Sequence, residues 1–150
     1  MKNAIWLGTL LTLLALPLPA LAGQLQATLY KNPHCSCCEA YADYLRENGF
    51  DVDVKTTDTL EEITLKAGVP EQLEGCHTMF VDGYVVVGHV AADVVKKLLT
   101  ERPAIVGIAI PGMPSGVPGM AGQKAAPVSI YAVSKDKAPT VYAVASSSDG

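Results

Sequence analysis

The chain has 150 residues, with 11 Lys/Arg against 15 Asp/Glu and a formal net charge of −4. A mildly acidic chain without a Lys/Arg cluster offers no electrostatic footprint for nucleic acid or for an anionic membrane surface. Its length is enough to bury a real core, so disulfides are not needed as staples.

Met1–Ala22 carries one positive charge, Lys2, and an apolar stretch from Ala4 to Leu16. Pro17 and Pro19 follow, then Ala20-Leu21-Ala22. Small residues at alternate positions suit a signal peptidase, so 1–22 reads as a secretory leader cleaved after Ala22. The apolar run is short for a bilayer span of about 20 residues and is broken by prolines. Residue 23 is Gly, which argues against a lipoprotein anchor at a Cys.

Gln24–Tyr30 places Leu25, Ala27 and Leu29 on one face, the period of a strand. Asn32-Pro33-His34 breaks it. Cys37–Asn48 has helical spacing, with Cys38, Tyr41, Ala42 and Leu45 on one side and Gly49 as a stop. Phe50–Thr56 alternates again. Thr59-Leu60-Glu61-Glu62 is a capping-box pattern for a short helix ending near Gly68-Val69-Pro70. His77–Val81 and Tyr84–Val87 flank Asp82-Gly83, a dipeptide suited to a type I′ hairpin turn. Ala92–Thr100 is an amphipathic helix that Pro103 ends. The order is β-α-β-α-β-β-α, an α/β chain of thioredoxin-like order.

Ala104–Ile110 is apolar and expected to be buried. Pro111–Gly122 is a Pro/Gly loop carrying Met113 and Met120. Val128–Ser134 and Thr140–Ser146 have the pattern of a second hairpin, and Ser147–Gly150 that of a frayed end. This divides the chain into a leader (1–22), a thioredoxin-like metal-binding domain (23–122) and a C-terminal extension (123–150).

Three of the four cysteines lie within four residues, Cys35-Ser36-Cys37-Cys38. A bridge closing so small a loop constrains the unfolded chain little, so a structural-disulfide reading is weak. The motif follows a strand and opens a helix, the setting in which C-x-x-C reads as thioredoxin-like. Free N–H groups and the helix dipole stabilise a thiolate there, favouring disulfide exchange and soft-metal ligation. Cys35 and Cys38 are the redox pair if the protein is redox active, and Cys37 is an extra ligand. In this topology the third strand runs antiparallel beside the first, which brings Cys76 to the motif. Ordinary thioredoxins have a cis-proline before this position; here the residues are Gly75-Cys76-His77-Thr78.

Cys35, Cys37, Cys38 and Cys76 are therefore the expected metal ligands. Thiolates with methionine nearby favour Cu(I), with Zn²⁺ as the competitor. Adjacent Cys37 and Cys38 fit poorly on one ion, which favours bridging thiolates and more than one copper. His34, His77, Met113 and Met120 are secondary candidates. His89, past the hairpin, reads as structural, and Tyr41 and Tyr44 read as core.

Tyr30-Lys31-Asn32-Pro33-His34-Cys35-Ser36-Cys37-Cys38 resembles the hallmark of the exported CopG-type copper-resistance proteins. Gly75-Cys76-His77-Thr78, Val81-Asp82-Gly83-Tyr84, Gly88-His89-Val90, Arg102–Gly107 and Pro111-Gly112-Met113-Pro114 are similar to its other signatures. The likeness covers about 28–122. It departs from the pattern at Ser36, where Gly is expected, and at Ala91, where a proline often stands. The resemblance implies a thioredoxin-like domain, copper as the metal, and a role in periplasmic copper handling. Copper ions are then the expected partners, with other periplasmic copper-handling or thiol redox proteins beside them. Three functions compete: a copper-binding resistance protein, a thiol-disulfide or copper oxidoreductase using Cys35 and Cys38, and a structural domain with two bridges.

Overall fold

The computed structural model describes residues 23–123 and 127–145. The expected leader and the frayed end at 147–150 lie outside the described residues. Among those described, no helix is long and apolar enough to cross a membrane.

The alternation of Leu25, Ala27 and Leu29 gives β1 (Leu25–Lys31), one residue further along than its pattern suggests. After the Asn-Pro-His break, α1 (Ser36–Glu47) buries Cys38, Tyr41, Ala42 and Leu45 as one stripe. Gly49 at φ 89° follows its end, a left-handed stop that costs glycine little. β2 (Phe50–Thr56) pairs parallel with β1.

The capping-box expectation at Thr59 fails. α2 (Leu60–Lys66) has no side-chain cap. Thr57 takes over locally: its Oγ1 accepts from the Thr59 amide at 3.1 Å and pairs with Thr59 Oγ1 at 3.1 Å. A hydroxyl two residues upstream thus competes successfully with the helix end. A single 3₁₀ turn, Glu71–Leu73, leads to β3 (His77–Val81) and β4 (Tyr84–Val87). Asp82 and Gly83 both have positive φ, 45° and 83°, as a type I′ turn requires. α3 (Ala92–Glu101) stops at Arg102, left-handed at φ 50°, just before Pro103.

The apolar segment after α3 contains a further strand, β5 (Gly107–Ala109), parallel to β4. Three residues are too few for a period to be read, so the sequence marks only burial there. Gly107 is required at this pairing, because a Cβ would collide with the Val85 carbonyl. β6 (Val128–Val133) and β7 (Thr140–Ala145) form the second hairpin and join the same sheet through β5. The sheet has seven strands in the order β2-β1-β3-β4-β5-β6-β7.

One face of the sheet packs Leu29, Met79, Val86 and Ile108 against Tyr41 and Leu45 of α1 and Val95 and Leu98 of α3. Each such side chain, fully buried, stabilises the fold by about 1.5–3 kcal/mol. The other face sets Val85, Val87, Ala109 and Val133 against Val69 and Leu73. The alternation of β3 therefore sends His77, with Met79 and Val81, towards α1. Lys31, the last residue of β1, pairs with His77, the first of β3. The Asn32 amide donates to the Cys76 carbonyl at 3.3 Å. This antiparallel register carries Cys76 to the cysteine-rich loop.

Candidate metal centre

The loop from β1 to α1 is closed by the Cys35 amide, which donates to the Asn32 carbonyl at 3.2 Å. Beneath it lies Lys31, a buried cation. Its Nζ donates to the Asn32 carbonyl at 3.3 Å and the Cys35 carbonyl at 3.5 Å, and pairs with Glu39 Oε1 at 3.2 Å. A buried ammonium needs such partners, and in finding them it fixes the backbone that presents the thiols.

Cys35 and Cys38 are joined as a disulfide, their Cα atoms 5.4 Å apart. Cys37 and Cys76 are free. Cys37 Sγ lies 3.5 Å from Cys35 Sγ, and Cys76 Sγ lies 3.6 Å from Cys38 Sγ. All four sulfurs fall within 4.8 Å of one another. A metal–thiolate bond of about 2.3 Å places two ligands of one ion within roughly 4.6 Å, so the cluster has the spacing of a metal site. Cys35, at 8 % exposure, is more open than Cys38 at 0 %, as its place at the helix start suggests. Both are more enclosed than the half-buried Cys37 and Cys76. Burial first, and the neighbouring Cys37 second, push the Cys76 thiol pKa up. A metal ion ligated there would have to displace that proton, which would make its binding stronger as pH rises.

The segment 111–122 lies across this site as a strap. Met113 Sδ is 3.1 Å from Cys76 Sγ. Val117 is buried in the core. The Pro118 carbonyl is 2.6 Å from His89 Nδ1. Gly119 packs its backbone on Tyr41.

Under the strap two imidazoles are enclosed. His77 stacks on the Tyr41 ring at 4.9 Å and meets His89 edge-on at 5.0 Å. Both ring nitrogens of His77, and Nε2 of His89, are buried without a hydrogen-bond partner among the described residues. Each buried orphan of this kind costs about 1–3 kcal/mol. Burial, followed by the neighbouring His89, lowers the His77 pKa to about 3, against the adjacent Gly88 backbone, which raises it. Burial lowers His89 as well, against its bond to Pro118. Both rings are thus neutral at pH 7, the form in which imidazole ligates metals. One ligand atom from each of Cys38, Cys76, His77 and His89 lies within 4.8 Å of the other three.

Two solved structures described as copper resistance protein CopG, form 2 and form 1, are similar to this chain. Each is 33 % identical, with a TM-score of 0.75. The matches cover 81 % of this chain and 98 % and 97 % of theirs. The chain belongs to the CopG copper-resistance family. A family model described as a protein of unknown function, DUF411, matches residues 73–120, from just before Cys76 through Met120. No curated protein matches.

CopG membership agrees with the sequence motifs, and the fold brings their chemistry-bearing residues together unevenly. The four cysteines converge, and Met113 joins them. His77 lies directly behind, adjoining Cys38 and Cys76. His34 is exposed on the turn before Cys35, outside both ligand groups. Met120 packs partly buried against the main core. His89, read from the sequence as structural, is bonded to the strap at Pro118 and also has a ring nitrogen within ligand spacing of Cys76 and His77. Register counting carries the signal. A two-residue turn at Asp82-Gly83 pairs Thr78 with Val87, so Gly88 and His89 fall beside the start of β3.

Proposed function

We propose that this is an exported protein of periplasmic copper handling that binds Cu(I), more than one ion, through Cys35, Cys37, Cys38 and Cys76 once they are reduced. The observation that carries this reading is the convergence of four sulfurs from two segments to within 4.8 Å. Soft thiolates select Cu(I) over harder ions. Four donors that include the adjacent pair Cys37 and Cys38 favour sulfurs shared between ions over one tetrahedral set. The likeness to two solved structures of copper resistance protein CopG supports copper over zinc. Anaerobic metal analysis of the reduced protein tests it. More than one Cu(I) per chain, not displaced by Zn²⁺, is expected. One zinc, unaffected by Cu(I), would reject it.

A second reading rests on the Cys35–Cys38 disulfide. The dithiol can act as a reductant: two Cu(II) ions take one electron each and become two Cu(I), while Cys35 and Cys38 lose two protons and join as a disulfide. Stopped-flow loss of the Cu(II) signal, with matching loss of two thiols per chain, would establish this oxidoreductase activity. Cu(II) left unreduced by the dithiol would exclude it.

A further inference from the structure

We propose that Lys31 is a positioning residue for the redox chemistry of Cys35 and Cys38: its buried ammonium favours the reduced pair over the disulfide, and Glu39 opposes it from the solvent side. The proposal rests on the oxidoreductase reading above and deepens it by naming what sets the poise of the pair.

Lys31 alternates with Ala27 and Leu29 along β1, so it occupies a position of the buried face. An apolar side chain would suit that place, and a buried ammonium there is costly to keep. Loop closure does not need it, because the Cys35 amide already closes the turn onto the Asn32 carbonyl at 3.2 Å. The charge is held by the Asn32 and Cys35 carbonyls at 3.3 and 3.5 Å and by Glu39 Oε1 at 3.2 Å. Glu39 is the one charged partner of the three. Its side chain is 53 % exposed, against 5 % for Lys31. Water therefore screens the carboxylate far more than the ammonium, and the interior beside the loop carries net positive potential.

That potential falls on the reacting sulfur. The carbonyl that Lys31 touches belongs to Cys35 itself, so ammonium and sulfur lie within a Debye length of about 10 Å. Cys35 also stands uncapped at the start of α1, where free amides act with the same sign. A reducing dithiol supplies two electrons and two protons and leaves as a disulfide. The electrons break the Cys35–Cys38 bond, one proton stays on the pair, and the other goes to solvent. The disulfide is neutral, whereas the reduced pair then holds a thiolate, the form that exchanges disulfides and binds metal. A fixed cation at short range in a poorly screened setting favours that charged state. Stabilising the reduced form raises the reduction potential. Lys31 thus makes the bridge easier to open and biases the chain towards the thiols that bind copper.

The test equilibrates the metal-free chain, residues 23–150, in anaerobic glutathione redox buffers at pH 7 with a chelator present. Alkylation and peptide mapping give the fraction bridged between Cys35 and Cys38. Lys31→Met keeps a buried stem and removes the charge. Its equilibrium constant for reduction should fall about tenfold, a shift of about 30 mV to more negative potential. Glu39→Gln breaks the same ion pair but leaves the ammonium without its opposing charge, so its constant should rise severalfold. A latch that merely holds the loop would be released by either substitution, and both constants would then move in one direction. Shifts of opposite sign support the proposal. A constant that does not fall in Lys31→Met, or does not rise in Glu39→Gln, overturns it. Circular dichroism reports folding, and if Lys31→Met fails to fold, the sign of the shift in the exposed Glu39→Gln decides alone. Opposite shifts in a dithiol that leaves Cu(II) unreduced would remove the oxidoreductase reading and leave the role of Lys31 standing.

Discussion

Cys76 Sγ and Met113 Sδ lie 3.1 Å apart although 37 residues separate them. Neither is placed by its neighbours in sequence. Cys76 is held by the pairing of β3 with β1, and Met113 by a strap pinned at Val117, Pro118 and Gly119. The site is thus assembled from three segments, and substitutions in each should have separable effects.

Cys76→Ser should weaken Cu(I) binding by well over tenfold, a loss of more than about 1.4 kcal/mol, because a hydroxyl is a hard and poor ligand for Cu(I). The half-buried side chain sits at the mouth of the strand pairing and outside the core, so the melting temperature of the metal-free protein should barely move. Competition titration and a melt on the same sample check this. Unchanged affinity would remove Cys76 from the site.

Mild oxidation of the metal-free protein should yield Cys35–Cys38 as the main bridge, with Cys37 and Cys76 open to alkylation. Cys38 to Cys76, at 3.6 Å between sulfurs, is the competing pair. A vicinal Cys37–Cys38 bridge should be minor because of its geometry. Peptide mapping by mass spectrometry decides, and a dominant vicinal bridge would contradict the arrangement.

The metal-free protein should lose stability in acid through His77. Its folded pKa is about 3, against an unfolded value of about 6.5. Below about pH 6.5 the unfolded chain takes up a proton that the folded one refuses, so stability is full above that pH and falls towards pH 3. His89, which faces His77 edge-on and is also lowered by burial, adds the same sign. Denaturant unfolding near pH 7.5 and pH 4.5 should differ by on the order of 1–3 kcal/mol. His77→Phe should flatten the difference, and an equally steep slope in that variant would refute the assignment.

Gly119→Ala should destabilise the fold by about 1–3 kcal/mol. Gly119 sits at φ 76°, and a Cβ there would lie 2.7 Å from the Tyr41 amide nitrogen. Gly112→Ala is the control: its φ of 71° is similar, but a Cβ meets nothing within 4 Å. Only the first should also displace Pro118 and Met113 and so reduce copper retention. Equal melting temperatures for the two variants would show that the strap does not press on α1.

Most of the sheet was legible because period and turn chemistry agree: β2, β3 and β4 fall where alternation and Asp82-Gly83 place them. The meeting of Cys76 with the 35–38 motif was legible for the same reason, since antiparallel β1 and β3 fix which ends are neighbours. β5 was not, being three residues long and set by the close approach of Gly107 to Val85. Thr57 displaced the expected cap of α2 by a local hydroxyl bond that propensity does not rank. The strap was the least legible part. Its prolines and glycines carry no period, and its course is fixed by contacts with α1 and His89 that exist only after folding.

Because Lys31 opposes His77 across β1 and β3, the proposed ligand set comes together only in the folded chain. An unfolded polypeptide presents the 35–38 segment alone and binds copper with fewer donors. Loading the finished site therefore shifts the folding equilibrium. At free copper one hundred times the dissociation constant, a single site adds about 2.7 kcal/mol to the folded state. Weak copper binding by the unfolded segment subtracts from that figure. The metal thus selects for the correctly paired sheet, and a chain with β3 out of register would compete poorly for it.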